Sequence, residues 1–346
     1  MSILSGVSDF FGLDIGTTAI RVVELKGSGS AKTLHRYGQV GIDRKTATSD
    51  AKPDQQRLAQ SISELMHQTG ISSRNVAVGI PSKRVFTAVF DIDRLSPDEL
   101  KKTLKYQADS MIPTPLDESK IDWAQIGDSP VDKTKVEILL SSVPNDLVEK
   151  RLDMLESINL NVIAFEPENL ALVRSMLLPE ATEPQMVIDI GSTNTDLVIV
   201  MNGAPRLTRA IPTGTEAFIK AATQNLGIDA AQAEQFVFKF GLSKEKLEGQ
   251  VHQAIISTVD LLVGELDKSI KFFQSRYVNT PIQRIVVTGG ASTLPEFPLY
   301  VANKFGISVE IGNAWRNTVF PQNRQNELLS VSNYYGVAAG LAERNE

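Results

Sequence analysis

The chain has 346 residues, a formal net charge of −6 and no cysteine. That length suffices for two domains or one bilobed unit with a buried core, and the acidic balance argues against a broad nucleic-acid surface or a polybasic membrane anchor. The absence of thiols excludes disulfides and thiolate metal sites. With no apolar run near the roughly 20 residues that span a bilayer and no basic lead-in of a signal peptide, a cytoplasmic protein without direct membrane insertion is expected.

Phe10–Gly16 and Ala19–Leu25 read as two strands around a tight polar turn, and Leu34–Ile42 as a third. The segment Gly38–Pro53 is polar and loop-like. A helix is expected over Arg57–Gln68 and a short buried strand over Val76–Ile80. Val85–Ile92 alternates as a strand does. Ser96, Pro97 and Glu99 then spell a capped helix start, with Leu100, Leu104 and Met111 on one face. Val136–Val143 is a further strand. The second half repeats the opening order: strands over Met186–Ile190, Thr195–Met201 and Pro205–Ile211, helices between Thr215 and Arg276, and a late strand Arg284–Gly290. His35, His67 and His252 fall at no metal-ligand spacing. Hairpin-linked strands at the head of each half predict a mixed sheet in each, hence an α/β chain built by internal duplication.

The two repeated turns carry the chemistry. "FGLDIGTTAIRVVEL" begins at Phe11 and "MVIDIGSTNTDLVIV" at Met186, about half a chain apart. Each is a strand ending in Asp-Ile-Gly followed by small polar residues. Consecutive backbone N–H groups in such a turn form a concavity for phosphate oxygens, with glycine where a side chain would block them. Gly16, Thr17 and Thr18 in the first copy, and Gly191, Ser192, Thr193 and Asn194 in the second, are the candidate phosphate ligands. Asp14 and Asp189 would face a Mg²⁺ ion through water, since Mg²⁺ keeps most of its hydration shell.

These hairpins, with the late "TGGAS" at Thr288–Ser292 and the segments "FEPENLALVR" and "YYGVAAGLA", resemble the actin, Hsp70 and sugar-kinase superfamily. The resemblance implies a bilobed ATP-binding fold of two duplicated mixed-sheet subdomains, with Gly289, Gly290 and Ala291 close to the adenosine and Glu234 on the ribose. Small residues at Gly336, Ala338, Ala339 and Gly340 would let two connecting helices cross closely. The chain departs from the superfamily pattern at Gly214, which Thr215 follows in place of a second glycine. It departs again at Val237, where relatives carry a lysine; Lys239 lies two residues on.

The run "SPDEL…IPTPLDE…IDW" and the strand "LTRAIPTG" resemble the PilM family of type IV pilus assembly proteins, whose inserted strand-helix-strand-strand-helix unit is shared with the cell-division protein FtsA. The implied division is a first lobe of residues 1–81 and 162–185, an inserted subdomain 82–161, and a second lobe 186–346 whose last helix returns to the first. The resemblance further implies a scaffold peripheral to the inner membrane that binds the cytoplasmic N-terminal tail of a PilN-like membrane protein. The groove would lie between the first lobe and the insert, with Val85, Phe86, Thr87 and Val89 as candidate wall residues. The pilus motor ATPase, the platform protein and self-association are further partners on the same ground. Slow or absent ATP hydrolysis is expected, with Asp196 or Glu166 as the carboxylate that would position water. Two alternatives stay open at this point: an FtsA-like filament protein, against which the charged ending "GLAERNE" speaks, and an actin-fold kinase, for which no substrate-pocket pattern is visible.

Overall fold

The computed structural model describes residues 9–27 and 32–345. Its first strands, β1 (Phe11–Ile15), β2 (Ala19–Lys26) and β3 (Lys32–Gly41), form an antiparallel meander. The polar stretch that follows is not all loop. Asp43 caps a short α1 (Arg44–Thr48), and α2 (Lys52–Thr69) starts earlier than Arg57 because Pro53 is already suited to a first helical turn. Leu58, Ile62, Leu65 and Met66 give α2 its buried face, and Gly70 ends it with φ of 72°. β4 (Asn75–Ile80) then returns parallel to β1.

A 3₁₀ turn, Ser82–Arg84, leads into the insert: β5 (Phe86–Asp93), α3 (Pro97–Met111), β6 (Ser119–Asp128) and β7 (Lys135–Pro144). The expected capping box is formed by Ser96 and Glu99. The three strands make an antiparallel sheet ordered β5-β7-β6, and Ile92, Leu100, Leu104, Val136 and Ile138 close its core under α3. The next helix, α4 (Asn145–Glu156), falls within the 82–161 division yet buries Met154 and Leu155 among first-lobe residues such as Leu58 and Ile62. β8 (Asn161–Pro167) runs parallel to β4, and α5 (Glu168–Met176) crosses beneath.

The second lobe repeats the plan. β9 (Gln185–Ile190), β10 (Thr195–Met201) and β11 (Ala204–Ile211) form a meander, with Asn202 and Gly203 both at positive φ in the β10–β11 turn. Helices α6 (Thr215–Leu226), α7 (Ala230–Phe240) and α8 (Gln250–Arg276) follow, then β12 (Arg284–Gly289), α9 (Phe297–Phe305) and β13 (Ser308–Ile311). The chain ends with β14 (Thr318–Val319), α10 (Gln325–Val331) and α11 (Gly336–Ala342). The sheets are ordered β14-β3-β2-β1-β4-β8 and β11-β10-β9-β12-β13. Apart from β14, the two orders are the same strand for strand, which is the duplication in three dimensions.

α5 and α11 join the two sheets. One core cluster contains Val23 and Ala77 of the first sheet, Val187, Val198 and Val286 of the second, and Ala171, Leu172, Ala338 and Leu341 of these two helices. The helices cross closely because a Cβ at Gly340 would land on the Ala171 carbonyl, and one at Gly12 would strike the backbone of α11. The expected small-residue crossing is present.

The insert is tied to the second lobe by a buried carboxylate. Glu137 on β7 accepts from Arg206 of β11 at 2.7 Å, from Arg276 of α8 at 2.8 Å and from the Tyr277 hydroxyl at 2.6 Å. Arg276 also pairs with Asp91 of β5 at 2.7 Å. Within the second lobe, Arg209 of the strand "LTRAIPTG" pairs with Glu265 of α8 at 2.8 Å.

Candidate functional site

Both repeated turns close in the same way. The Gly16 N–H donates to the Ala19 carbonyl at 3.0 Å, and the Gly191 N–H to the Asn194 carbonyl at 2.9 Å. β1, β4 and β8 run parallel, so the first turn, the Ser82–Arg84 turn and the start of α5 all emerge at one end of their sheet. Ligand sites in α/β folds form at such strand ends. The second turn and the end of β12 do the same on the other sheet, and the two ends face each other across a cleft of ≈ 790 Å³.

Of the residues expected from the sequence, the cleft brings together Asp14, Gly16, Thr17 and Thr18 from the first lobe with Asp189, Gly191, Ser192, Asn194 and Asp196 from the second. Glu234 of α7 and the pair Gly289–Gly290 line its far part. Gly289 has φ of 80°, and a Cβ there would collide with the Asp189 carboxylate. Thr193 and Gly214 line a neighbouring shallow depression, and Ala291 is fully buried. A Cβ at Gly214 would strike the Ser192 carbonyl. The position after it, Thr215, donates its N–H to the Gly191 carbonyl at 3.0 Å, so this single glycine supports the second turn from below. Val237 is buried in the second-lobe core and Lys239 is exposed.

Glu166 is not in the cleft. It lies in β8 opposite Gly79, and its carboxylate is held by Arg174 of α5 and by Arg344 at 2.9 Å. The cleft carboxylate from this segment is Glu168, the first residue of α5. Gly79 makes room for it: a Cβ there would lie 3.2 Å from Glu168 Cγ. Pro167 before Glu168 was the sequence signal, since a helix that starts there points its first turn into the site. Lys83 and Asn333 also line the cleft without having been singled out. Asn333 steadies the adenosine-side loop by donating to the Gly289 carbonyl and to Ser292 Oγ, each at 3.1 Å.

Four of the acids that line the cleft, Asp14, Glu168, Asp189 and Asp196, perturb one another. Burial pushes Asp189 up to about 7, helped by the charge of Asp14 and opposed by Arg21. Burial and the neighbouring Asp189 push Asp196 up to about 7 as well, with Lys83 opposing. Glu168 is raised well above the carboxylate range by burial and by Asp14, Asp196 and Asp189. Asp14 is raised by burial too, though Arg21, 3.6 Å away, holds it back. Asp196 Oδ1 is buried and accepts no hydrogen bond among the described residues. Clustered acids with an unanswered buried oxygen suit a hydrated divalent cation. Among the described residues no three acids or histidines are grouped tightly enough to hold a metal by themselves, so such an ion would take its remaining ligands from water and phosphate.

The candidate groove residues separate by strand parity. Phe86 turns, with Phe90, toward Ala108, Ile112 and Leu140 of the insert core. Thr87 and Val89 are half-buried on the other face, with Asp91, which pairs to the second lobe. Val85 ends the 3₁₀ turn. No helix among the described residues is long and apolar enough to cross a membrane.

Comparison with known proteins places the chain. The structure of a PilM-PilN type IV pilus biogenesis complex superposes with a TM-score of 0.81 at 22% identity, covering 96% of this chain and 97% of that one. The ethanolamine utilization protein EutJ from Carboxydothermus hydrogenoformans (TM-score 0.58, 14% identity, 97% and 89% covered) shares the fold. So does MreB 5 of Spiroplasma citri bound to AMPPNP (TM-score 0.53, 12% identity, 96% and 95% covered). The fold is therefore actin-like. A curated relative, the cell division protein FtsA of Neisseria meningitidis serogroup B, is 27% identical over 151 residues, 36% of this chain; the chain spans about a third (35%) of that protein's length in the match. The family model of the type IV pilus assembly protein PilM matches residues 12–346, and with the actin-like fold and the two facing hairpins already described, the chain belongs to the PilM family.

Proposed function

We propose that this protein is a nucleotide-binding scaffold of the type IV pilus inner-membrane assembly, holding Mg²⁺-ATP between its lobes and the cytoplasmic N-terminal tail of a PilN-like protein beside its insert. The observation that carries the nucleotide reading is the pair of like turns facing each other across the cleft, with Asp14 and Asp189 at the ends of their strands. Thr17, Thr18, Ser192 and Asn194 bind phosphate oxygens, Gly289 and Gly290 admit the adenosine, and Glu234 takes the ribose. Mg²⁺, when bound, offsets the charge of the phosphates and of the four acids. The protein's own part is to orient the triphosphate and to hold the two lobes on it. Asp196 and Glu168 are the carboxylates placed to orient a water, and slow or absent turnover fits a nucleotide that stabilises the closed form. For the tail, Thr87 and Val89 are the groove residues of β5 that the insert core leaves over.

Single-turnover incubation with Mg²⁺ and labelled ATP tests the nucleotide reading. Stoichiometric binding with little phosphate release, lost in the Asp14→Ala, Asp189→Ala double variant, is expected. Absence of binding by the wild-type protein would end it. Titration of a PilN-type tail peptide against Thr87→Lys tests the groove, and unchanged affinity in a folded variant would remove β5 from it.

A further inference from the structure

We propose that Lys83 binds the terminal phosphate of the nucleotide and is the residue by which this protein tells a nucleoside triphosphate from a diphosphate. The inference rests on the nucleotide-binding reading above and adds a residue to it that the repeated turns do not contain.

Lys83 sits in the Ser82–Arg84 turn, directly beyond the end of β4. Because β4 lies between β1 and β8, that turn emerges between the first phosphate turn and Glu168, and Lys83 lines the same cleft. Arg21, Arg84 and Arg151 are the other cations that line the cleft, and Arg44 lines the neighbouring depression. Arg21 pairs with Asp14 and lies over the Tyr334 ring, and Arg44 pairs with Glu216 at 2.7 Å. Lys83 forms no ion pair among the described residues, and its side chain is exposed. Its charge reaches the acids deepest in the site, where it favours the ionised forms of both Glu168 and Asp196.

Charge and reach then decide the role. A terminal phosphate placed among Asp14, Asp189, Asp196 and Glu168 needs a cation beyond the hydrated metal ion. A lysine offers a compact charge with three donors on a flexible four-carbon stem. The backbone donors of the two turns can be occupied by a diphosphate as well as by a triphosphate. Lys83, on the facing turn between the first phosphate turn and Glu168 and without an ion pair among the described residues, is placed to respond to a third phosphate.

The test is an equilibrium titration of wild type, Lys83→Met and Lys83→Arg with Mg²⁺ and either ADP or the non-hydrolysable analogue AMPPNP, with apo melting temperatures as the check on folding. Lys83→Met is expected to weaken AMPPNP about tenfold or more while leaving ADP within about twofold, and Lys83→Arg to retain most of the discrimination. An equal loss for both nucleotides, or no loss for either, would overturn the assignment of Lys83 and leave the nucleotide reading standing. Failure of the wild type to bind ADP as well as AMPPNP would overturn both.

Discussion

Asp196 stands directly across the β9–β10 ladder from Asp189, at the register position that Arg21 holds opposite Asp14 in the first hairpin. The duplicated turns are therefore not electrostatically equal. In the first copy the aspartate is answered across the ladder by a guanidinium, and in the second two buried acids oppose each other.

The like-charge pair destabilises the free protein. Both acids titrate near 7 in the fold, well above their ordinary value, so ionising them at pH 8 costs folded-state free energy. Asp189→Asn should raise apo stability at pH 8 by about 1–2 kcal/mol in chemical denaturation. The same variant should lose the melting-temperature increase that Mg²⁺-nucleotide gives the wild type. A less stable apo variant would show that the pair is already neutralised by other means.

Glu343 provides a pH dependence separate from the cleft. Burial raises it to about 7, although Thr318, Arg174 and Lys32 oppose the shift. Its folded pKa lies above the unfolded value of about 4.5, so the folded state holds the proton more tightly and stability falls as pH rises from about 4.5 through 7. Glu343→Gln removes this component. Between pH 6 and pH 8 the stability difference, variant minus wild type, should grow by about 1 kcal/mol, read from urea midpoints at both pH values. A pH-independent difference would refute it.

Two glycines in helices should respond with opposite signs. A Cβ at Gly340 would fall on the Ala171 carbonyl, so Gly340→Ala must push α5 from α11 and is expected to cost about 3 kcal/mol. A Cβ at Gly264 on α8 meets nothing within 4 Å, so Gly264→Ala should gain about 0.5–1 kcal/mol. Thermal denaturation of the pair decides both, and a tolerated Gly340→Ala would mean that the crossing can relax.

The Glu137 carboxylate is the third case. Replacing it with alanine leaves Arg206, itself buried, without its ion-pair partner, and the expected loss is about 3–5 kcal/mol. Hydrogen exchange should then accelerate in β5, β6 and β7 more than in the two main sheets. Uniform acceleration would mean that the insert is not held by this contact.

What could be read from the chain alone was what is local. The two Asp-Ile-Gly turns are contiguous phrases, and the Ser96–Glu99 capping box lies within one helical turn, so turn chemistry and capping sufficed to place them. The mixed sheet of each half followed from the same duplication. Choosing between Glu166 and Glu168 required the β4–β8 register and the space left at Gly79, neither of which is written in the segment "FEPENL". Lys83 was hidden for the same reason, since nothing near it in sequence binds phosphate. The start of α2 was misplaced because the polar residues around Pro53 read as loop, although proline is well suited to a first turn. The Glu137–Arg206 contact joins residues far apart in sequence, and only the packed arrangement of insert and second lobe brings them to 2.7 Å.

The position of α11 has a consequence for how the protein is made. The second sheet is complete by Ile311, within one continuous stretch of chain. The first sheet is not, because its β1 lies under α11 and its β3 edge pairs with β14, both near the end of the sequence. As the polypeptide emerges from the ribosome, the lobe translated second has all its strands before the lobe translated first can be sealed. The N-terminal hairpin must therefore wait with the seat of α11 uncovered, exposed to misassembly until the last helix arrives.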